Sequence, residues 1–587
     1  MIFRKSFVVL IMFIFTACGG GGGTGGSVTT NTSTLPSSST IKVSLTQSSN
    51  KAVAKLSNNN GSEITNEDKL QVVDVDAQVV TNANKVFLKN DITAKTTVAI
   101  SGKITFDSVP FKSGGKSGLD YSAKVEKAVR GATVEIVNAF GTTVGTTITD
   151  ENGEYSITVT EDEVKVRVLA QLYKVPSSGQ ASWDFKVKDN TNGDALYAME
   201  GSLSSLTGLT TQTRNLNASY GWGGSAYTST RVAAPFAILD VVYDAIGKVT
   251  SAQSDALFGS LDIFWSKDNV AVTGNRSLGQ IITSHFDGTA LYILGKENSD
   301  TDEYDRAVVA HEWGHYYESR FSRSDSIGGV HTTSDMLDIR VAFGEGFGTA
   351  LGCIIIDSNL YLDSSSSAQA DTGVFSNVEA GGSRTNPGWY NEASIYSILY
   401  DIYDSTDDAG DTLSLGFTPI HNVLIGAQKN TPVFTSIFPF IKALKDQNPG
   451  NDTAIDAITS NESIAPITDI YGTGRTNRTV NANPLYTTLT VGSEVGVETN
   501  YSATSTSNAN MLGRYNFITF SIVNTGTYTI NLSEIGENGT LNPDAYLYKE
   551  GVSESIAQAT NTGTTDTLSI DLTAGNYRLA VIVNTLK

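Results

Sequence analysis

The chain has 587 residues, and 40% of them are hydrophobic, which is enough apolar material for three or more packed domains. Its 61 acidic residues outnumber the 40 basic ones and give a net charge of −21, which argues against nucleic acid as a partner. The chain has 2 cysteines. Cys18 lies in the N-terminal segment and is assigned another role below, which leaves Cys353 without a partner, so the mature protein is expected to contain no internal disulfide.

The N-terminal residues have the pattern of an exported protein. Two basic residues precede an apolar run over residues 7–15, and small residues then lead to Cys18. This order resembles a bacterial lipoprotein signal peptide over residues 1–17 with Cys18 acylated, although Phe15 stands where leucine is usual. Gly19, in place of the aspartate that retains lipoproteins at the inner membrane, favours the outer membrane or cell surface. An ordinary secretory peptide and a short membrane anchor are the alternatives, and the run is too short for a good spanning helix.

Two polar segments follow the proposed signal peptide. Residues 18–40 are dominated by glycine, serine, threonine and asparagine, a composition that cannot bury a core and predicts a flexible tether. Residues 41–96 are polar and only partly alternating. They fit a small strand-rich subdomain, a stalk or a propeptide.

Residues 97–212 alternate apolar and polar side chains in short runs that are typical of β-strands. Two such runs lie at 98–104 and 132–137, and a turn at 150–153 precedes a further run. The sequence GATVEIVNAFGTTVGTTITDENGEYSITV resembles the carboxypeptidase regulatory-like β-sandwich, a module found beside many secreted enzymes. The resemblance implies a sandwich that serves binding, spacing or folding.

The most informative motif is HEWGH at residues 311–315. Residues four apart project from one face of a helix, so the imidazoles of His311 and His315 can converge on one metal ion with Glu312 beside it. The acidic residues 302–305 and the absence of proline predict a helix with a favourable first turn. Zinc in such a site activates water, and a neighbouring carboxylate can take the proton. The alternative is a surface helix with two incidental histidines.

A third metal ligand is expected from a second motif, Gly-Glu-Gly-Phe, in which Glu345 begins an apolar helix. A carboxylate buried on so apolar a helix needs a partner, and zinc would be that partner. The two motifs resemble those of the gluzincin metallopeptidases, whose HExxH helix is followed by a glutamate ligand on a second helix. The resemblance implies His311, His315 and Glu345 as zinc ligands and Glu312 as the general base.

Two features leave this ligand set open. Thermolysin-like enzymes carry an aspartate four residues after the ligand glutamate, whereas this chain has Thr349, so the hydrogen-bond partner of a zinc histidine is unidentified. Asp338 could instead supply the carboxylate, as in aspzincins. Asp335, Asp338 and Arg340 are more typical of a polar helix start or an ion pair, which favours Glu345.

The transition-state oxyanion needs a donor besides zinc, commonly a tyrosine or histidine from a later segment. His331 lies between the two ligand helices, and Tyr390 precedes an amphipathic helix over residues 393–403. His421 is a third candidate that fits a satisfied structural histidine equally well. His331 and Tyr390 are therefore the predicted catalytic partners of Glu312.

Short alternating runs return in residues 486–587. The order TYTINL, DAYLY and TAGNYRLAV resembles the bacterial pre-peptidase C-terminal domain, a jelly-roll-like sandwich carried by secreted proteases. In that family the domain is cleaved off or assists substrate binding. Its presence favours proteolysis over other zinc-dependent hydrolysis.

These patterns predict a multidomain protein with an α+β zincin-like catalytic domain at residues 213–485, mainly helical around the metal site, flanked by N- and C-terminal β-sandwich domains. The predicted function is a lipid-anchored, cell-surface zinc metallopeptidase of the endopeptidase type, with one catalytic Zn²⁺ and protein or peptide substrates outside the cell. The alternative is a surface adhesin, or a glycan- or protein-binding lipoprotein, with a degenerate or structural zinc domain. The acidic surface could also bind calcium, but no EF-hand loop supports a specific site.

Overall fold

The computed structural model describes residues 39–47, 69–75, 97–113, 118–364, 369–379, 385–405, 411–477, 482–499, 509–535 and 541–585. The proposed signal peptide, Cys18 and nearly all of the proposed tether lie outside the described residues. Their assignment therefore stays a prediction.

Helices and strands alternate irregularly along the described residues. The helices are α1 Ala233–Ala252, α2 Arg306–Phe321, α3 Ile339–Ile356, α4 Glu392–Tyr403, α5 Phe417–Val423, α6 Ile437–Gln447 and α7 Asp452–Asn461. The strands before α1 are β1 Ser39–Gln47, β2 Leu70–Asp74, β3 Val98–Ser108, β4 Val125–Ala128, β5 Ala132–Asn138, β6 Thr143–Ile148, β7 Glu154–Val159, β8 Glu163–Lys174, β9 Ser182–Asp189, β10 Ala195–Glu200, β11 Ser204–Ser205, β12 Thr211–Thr213 and β13 Leu216–Ala218. The later strands are β14 Leu257–Trp265, β15 His285–Phe286, β16 Leu291–Ile293, β17 Gly295–Lys296, β18 Asp300–Thr301, β19 Leu360–Asp363, β20 Val374–Asn377, β21 Tyr486–Thr488, β22 Glu494–Thr499, β23 Tyr515–Ile522, β24 Gly526–Ile535, β25 Leu541–Lys549, β26 Ala557–Ala559, β27 Thr565–Leu572 and β28 Gly575–Thr585.

The largest sheet joins the predicted N-terminal sandwich to the predicted catalytic domain. Its strand order is β15-β16-β14-β9-β10-β8-β5-β6, with β2 paired to β10 and β11 paired to β8. Because β9 pairs in parallel with β14, the sheet continues across the boundary predicted between residues 212 and 213. At one end of the sheet, β15 lies beside α2, the helix that carries the HEWGH motif.

The strands predicted at 98–104 and 132–137 are confirmed as parts of β3 and β5. The strand β3 belongs to a second sheet, in the order β12-β3-β13 with β4 and β7 also paired to β3, whereas β5 lies in the large sheet. Ile100 from β3 and Val134 from β5 are completely buried in one apolar cluster that also includes α1 and α2. The two sheets therefore share their core with the helices of the metal-binding region.

Two further sheets, β22-β1-β24-β27 and β21-β23-β28-β25-β26, bury a separate apolar cluster at the C-terminal end. The strand β1 comes from the other end of the chain and pairs with both β22 and β24. Its side chains Ile41, Val43 and Leu45 are completely buried. The described parts of the predicted stalk or subdomain at 41–96 thus belong to two larger sheets, β1 here and β2 beside β10. A short alternation predicts a strand but does not reveal its partner.

Buried ion pairs fix the C-terminal sheets against the metal-binding region. Arg578 on β28 is completely buried, and its Nη2 lies 3.3 Å from Asp325 Oδ1. Arg340 on α3 pairs with Asp338, and its guanidinium lies 4.6 Å from the ring centroid of Tyr515 on β23. Removing one partner of such a desolvated pair leaves an uncompensated buried charge. These contacts hold the start of α3 in place from the C-terminal side.

The helix α3 is long and apolar enough to cross a membrane, judged by its length and composition alone. Most of that helix is buried inside the protein, as expected for the core helix of a folded domain. No other helix among the described residues meets the same test.

Candidate metal centre

The HEWGH motif lies on α2, as predicted. The helix begins at Arg306 after Asp305 in the N-cap position, so the acidic residues 302–305 precede the helix and do not form its first turn. The side chain of Asp305 does not cap the helix, because its carboxylate accepts hydrogen bonds from the backbone and hydroxyl of Ser364. Trp313 is completely buried and anchors the opposite side of α2 in the core.

Glu345 lies in the interior of α3, whereas the sequence placed it at the start of a helix. The helix begins earlier because Asp338 caps it, with Oδ1 accepting from the backbone N–H of Arg340 at 3.0 Å. The same carboxylate accepts from Arg340 Nε at 2.9 Å, which confirms the predicted polar helix start and ion pair. Asp338, the rival ligand, is not among the residues whose ligand atoms converge with the histidines.

Glycines allow α2 and α3 to approach closely. A Cβ at Gly348 would lie 3.1 Å from the imidazole of His311, and a Cβ at Gly352 would lie 3.1 Å from the carbonyl oxygen of Ala307. On the facing helix, a Cβ at Gly314 would lie 3.3 Å from Gly348 Cα. Glycine is unfavourable inside a helix, so its use at these contacts reflects the space that the close packing requires. This packing brings Glu345 within reach of the two histidines.

Three side chains converge between the two helices. His311 Nε2 and His315 Nε2 lie 3.0 Å apart, and Glu345 Oε2 lies 3.5 Å from the first and 3.4 Å from the second. All three ligand atoms lie within 4.8 Å of one another. Two imidazole nitrogens and one carboxylate oxygen form the donor set of catalytic zinc sites, which keep a further position for water.

The electrostatics of this cluster suit a cation. Glu345 is only 1% exposed, and its Oε2 has no aligned hydrogen bond. Burial by itself raises the pKa of Glu345, but His315 and His331 more than offset it and hold that pKa well below its usual range. Burial lowers the pKa of His315, yet the charge of Glu345 outweighs it and raises the pKa to about 9. Metal binding would displace the protons held by these imidazoles, so the residues present fit a zinc ion.

Glu312 lies beside the cluster and is held by the edge strand of the large sheet. Its Oε2 accepts a hydrogen bond of 3.1 Å from the backbone N–H of Phe286 on β15. Burial raises the pKa of Glu312, against the opposing effect of His311 and His315. A carboxylate whose pKa moves toward neutrality is better matched to proton transfer at neutral pH. Sequence reasoning missed the contribution of Phe286, because a backbone donor has no signature in the sequence.

The hydrogen-bond partner of His311 that the sequence left unidentified is Thr349. Thr349 Oγ1 lies 3.1 Å from His311 Nδ1, so the N–H at Nδ1 can donate to the hydroxyl while Nε2 faces Glu345. Such a bond fixes the tautomer and the ring orientation of a metal-binding histidine. Thr349 therefore takes the position, four residues after Glu345, where thermolysin-like enzymes carry an aspartate. Tyr361 on β19 also packs edge-on against His311, with 6.1 Å between ring centroids.

Replacing Thr349 tests this contact. We expect Thr349→Val to weaken zinc affinity by about 10–100-fold, the usual cost of losing a hydrogen-bond partner of a metal ligand. Thr349→Ser retains the hydroxyl and is the matched control, with affinity close to that of the parent. Competition with a chromophoric chelator measures both, and equal affinities for the valine variant and the parent would show that the contact does not orient His311.

The loop before α3 brings His331 to the cluster. His331 Nδ1 lies 2.8 Å from the carbonyl oxygen of Gly329, and Nε2 lies 3.0 Å from Glu392 Oε2 and 3.8 Å from Glu345 Oε2. Burial lowers the pKa of His331, but Glu392 and Glu345 more than offset it and raise the pKa to about 10. His331 is only 1% exposed, so its ion pair with Glu392 is shielded from water. His331 thus lies buried beside the cluster and pairs with Glu392, a residue that the sequence did not single out.

The C-terminal part of the chain holds this loop in place. Asn510 donates from Nδ2 to the carbonyl oxygen of Val330 at 2.9 Å, and its own carbonyl accepts from the backbone N–H of Asp338 at 2.7 Å. A Cβ at Gly329 would lie 2.9 Å from the Asn510 side chain. The position of His331 therefore depends on residues far away in the sequence.

Two other sequence candidates lie outside the cluster. The ring of Tyr390 packs against Trp389, with 4.9 Å between the ring centroids. His421 is completely buried, with Nδ1 accepting from the Tyr317 hydroxyl at 2.7 Å and Nε2 3.1 Å from Gln253 Oε1. Burial lowers the pKa of His421 to about 4. His421 is thus a neutral, satisfied structural histidine, whereas the role predicted for Tyr390 stays a prediction.

No protein-family model matches this chain, and no curated protein matches it in sequence. Among solved structures, the chain is similar to an aminopeptidase A from Legionella pneumophila in complex with aspartic acid, with 11% sequence identity and a TM-score of 0.23. The match covers 73% of this chain and 38% of the aminopeptidase chain. A TM-score this low does not identify the fold, so the zincin-like fold class stays a prediction from the two motifs.

Proposed function

We propose that this chain is a zinc-dependent metallopeptidase that hydrolyses peptide bonds in extracellular proteins or peptides. The observation that carries the proposal is the convergence of His311, His315 and Glu345 within 4.8 Å, with Glu312 buried beside them. A structural zinc site is closed by four protein ligands, whereas three ligands and an adjacent carboxylate are typical of a catalytic site. When bound, zinc supplies a Lewis acid that lowers the pKa of water and polarises a scissile carbonyl.

The side chains around the metal site are assigned to proton transfer and to stabilisation of the transition state. Glu312 accepts the proton of the attacking water and later returns it to the leaving amine, and the N–H of Phe286 orients its carboxylate. His331 donates from Nδ1 to the carbonyl of Gly329 and holds Nε2 3.0 Å from Glu392 and 3.8 Å from Glu345, and it is the residue that we assign to binding the developing negative charge. The enclosed position of these groups excludes bulk water and strengthens their interactions.

Metal analysis combined with digestion tests this function. The purified full chain should bind about one zinc per molecule and cleave an unfolded protein, and a strong chelator should remove both metal and activity. Mass spectrometry of the products distinguishes internal cleavage, which we propose, from removal of terminal residues. A chain that retains no stoichiometric metal after zinc reconstitution would refute the proposal. Stoichiometric zinc without turnover would instead support the adhesin or binding-lipoprotein alternative.

The proposal includes attachment to the bacterial cell envelope through Cys18. The Gly/Ser/Thr-rich residues that follow would allow the catalytic region to lie roughly several tens of ångströms from the lipid headgroups. Fatty-acid labelling of the parent and of Cys18→Ser, followed by fractionation, tests this part. A parent that is unlabelled and found wholly in the medium would contradict it without affecting the zinc site.

A further inference from the structure

A second group of carboxylates lies at the N-terminal end of α2, outside the histidine cluster. Asp300, Asp302 and Asp363 each offer an oxygen atom, and these atoms lie within 4.8 Å of one another. Asp305, the N-cap residue of α2, lies beside this group, because Ser364, the residue after Asp363, donates two hydrogen bonds to its carboxylate. Burial, followed by the charge of Asp363, raises the pKa of Asp305. The four residues come from β18, the turn before α2, and the end of β19.

Hydrogen bonds satisfy only part of this group. Asp305 is completely buried, and Ser364 donates to its Oδ2 from the backbone at 2.6 Å and from the hydroxyl at 2.8 Å. Among the described residues, its Oδ1 has no hydrogen-bond partner, and neither has Oδ1 of Asp302, although Asp302 is only 3% exposed and Ser284 donates to its other oxygen. Buried polar atoms are nearly always paired, so such free oxygens point to a missing ligand.

No basic side chain compensates these carboxylates within the described part of the chain. None of the ion pairs there involves Asp300, Asp302, Asp305 or Asp363, and nearby Arg306 is engaged by Asp240 and Asp244. Burial, followed by the charge of Asp363, raises the pKa of Asp300 to about 8, and burial raises that of Asp363 to about 6. Acidic side chains this close together, with little access to water, are unfavourable without a cation or bound protons.

We infer that Asp300, Asp302 and Asp363, with Asp305 beside them, form a calcium site that ties the start of α2 to the end of β19. The donors are all oxygen atoms, which selects a hard cation and disfavours zinc. They come from separate segments of the chain, β18, the turn before α2 and the end of β19, and Ca²⁺ accepts six to eight oxygens in flexible geometry whereas Mg²⁺ demands a near-ideal octahedron. This site is independent of the proposed peptidase function.

The position of the site gives it a structural effect on the metal centre. Asp305 directly precedes the first turn of α2 and lies six residues before His311, where the HEWGH motif begins. At the other side of the site, β19 carries Tyr361, which packs against His311. Calcium would therefore fasten β19, whose Tyr361 packs against His311, to the start of the helix that carries His311.

Thermal unfolding with and without calcium tests the inference. The full chain, freed of calcium by a calcium-selective chelator and then passed through gel filtration, should bind about one Ca²⁺ in a calorimetric titration. Its unfolding temperature should rise by about 2–3 °C at a calcium concentration about 100-fold above Kd. Mg²⁺ at the same concentration should give a smaller rise. No rise with calcium, or an equal rise with Mg²⁺, would overturn the assignment.

Aspartate-to-asparagine variants test whether the calcium-dependent rise in unfolding temperature comes from this site. Asp302→Asn and Asp363→Asn should lose the calcium-dependent rise, yet unfold at or above the parent's temperature without calcium, because each removes one repelling charge. Asp446→Asn, an exposed position paired only with Lys442, is the matched control and should respond like the parent. A response retained in both cluster variants would overturn the site. If a variant fails to fold, the calcium titration of the parent still tests whether the chain binds calcium.

His311→Ala separates this inference from the proposed function. That variant removes a proposed zinc ligand but leaves all four aspartates, so its calcium-dependent rise should persist. Loss of the calcium response in His311→Ala, with the parent responding, would place calcium at the histidine cluster and overturn the site proposed here.

Discussion

Glu312→Gln should retain zinc and lose nearly all turnover. The change replaces one carboxylate oxygen by an amide nitrogen, so the ligands His311, His315 and Glu345 stay in place while the proton acceptor is removed. General acid–base groups contribute about 10²–10⁴-fold to rate, so we expect kcat to fall by at least about 100-fold. Single-turnover cleavage of an unfolded protein, with zinc content measured on the same sample, gives both values.

Glu318→Gln is the control for this variant. Glu318 is buried on the same helix, but it does not belong to the converging metal-binding group. Its variant should keep zinc and stay within about tenfold of the parent's rate, since it removes no group assigned to proton transfer. If Glu312→Gln were as active as the parent, or if both variants lost activity equally, Glu312 would not be the specific base.

The chemistry of α2 was predictable because it depends on local spacing. His311 and His315 share one helix face whatever the surrounding fold, and Glu312 follows as their neighbour. The position of Glu345 inside α3 was harder to predict from the sequence, because the helix start depends on the cap and ion pair that Asp338 makes with Arg340. An apolar run with glycines shows that a helix is buried but does not mark its first residue.

Contacts between distant segments could not be predicted from the chain alone. The calcium-site candidates lie at 300–305 and 363, and nothing in the spacing shows that the second segment returns to the first. The same holds for β1, whose alternation is visible but whose partners β22 and β24 are at the other end of the chain. Thr349 was noticed only as a departure from a family pattern. The structure shows that its hydroxyl reaches His311 across the glycine-lined contact between α2 and α3.

Glu345→Ala should abolish stable zinc binding at this cluster. The variant removes the only carboxylate among the three converging ligands and leaves the nitrogens of His311 and His315 without their anionic partner. Loss of a hydrogen-bond partner of a ligand already costs 10–100-fold in metal affinity, so loss of a ligand should cost more than about 100-fold. Activity should disappear at zinc concentrations that saturate the parent, and a competing chelator measures the affinity.

Asp338→Asn distinguishes this assignment from the rival one. Asparagine can still cap α3, but its amide no longer balances the buried charge of Arg340, so this variant should unfold at a lower temperature than the parent. Its zinc affinity should nevertheless stay near the parent's value, because Asp338 lies outside the converging ligand atoms. The opposite pattern, zinc lost in Asp338→Asn and kept in Glu345→Ala, would assign the third ligand to Asp338 and require a different arrangement of the loop that carries His331.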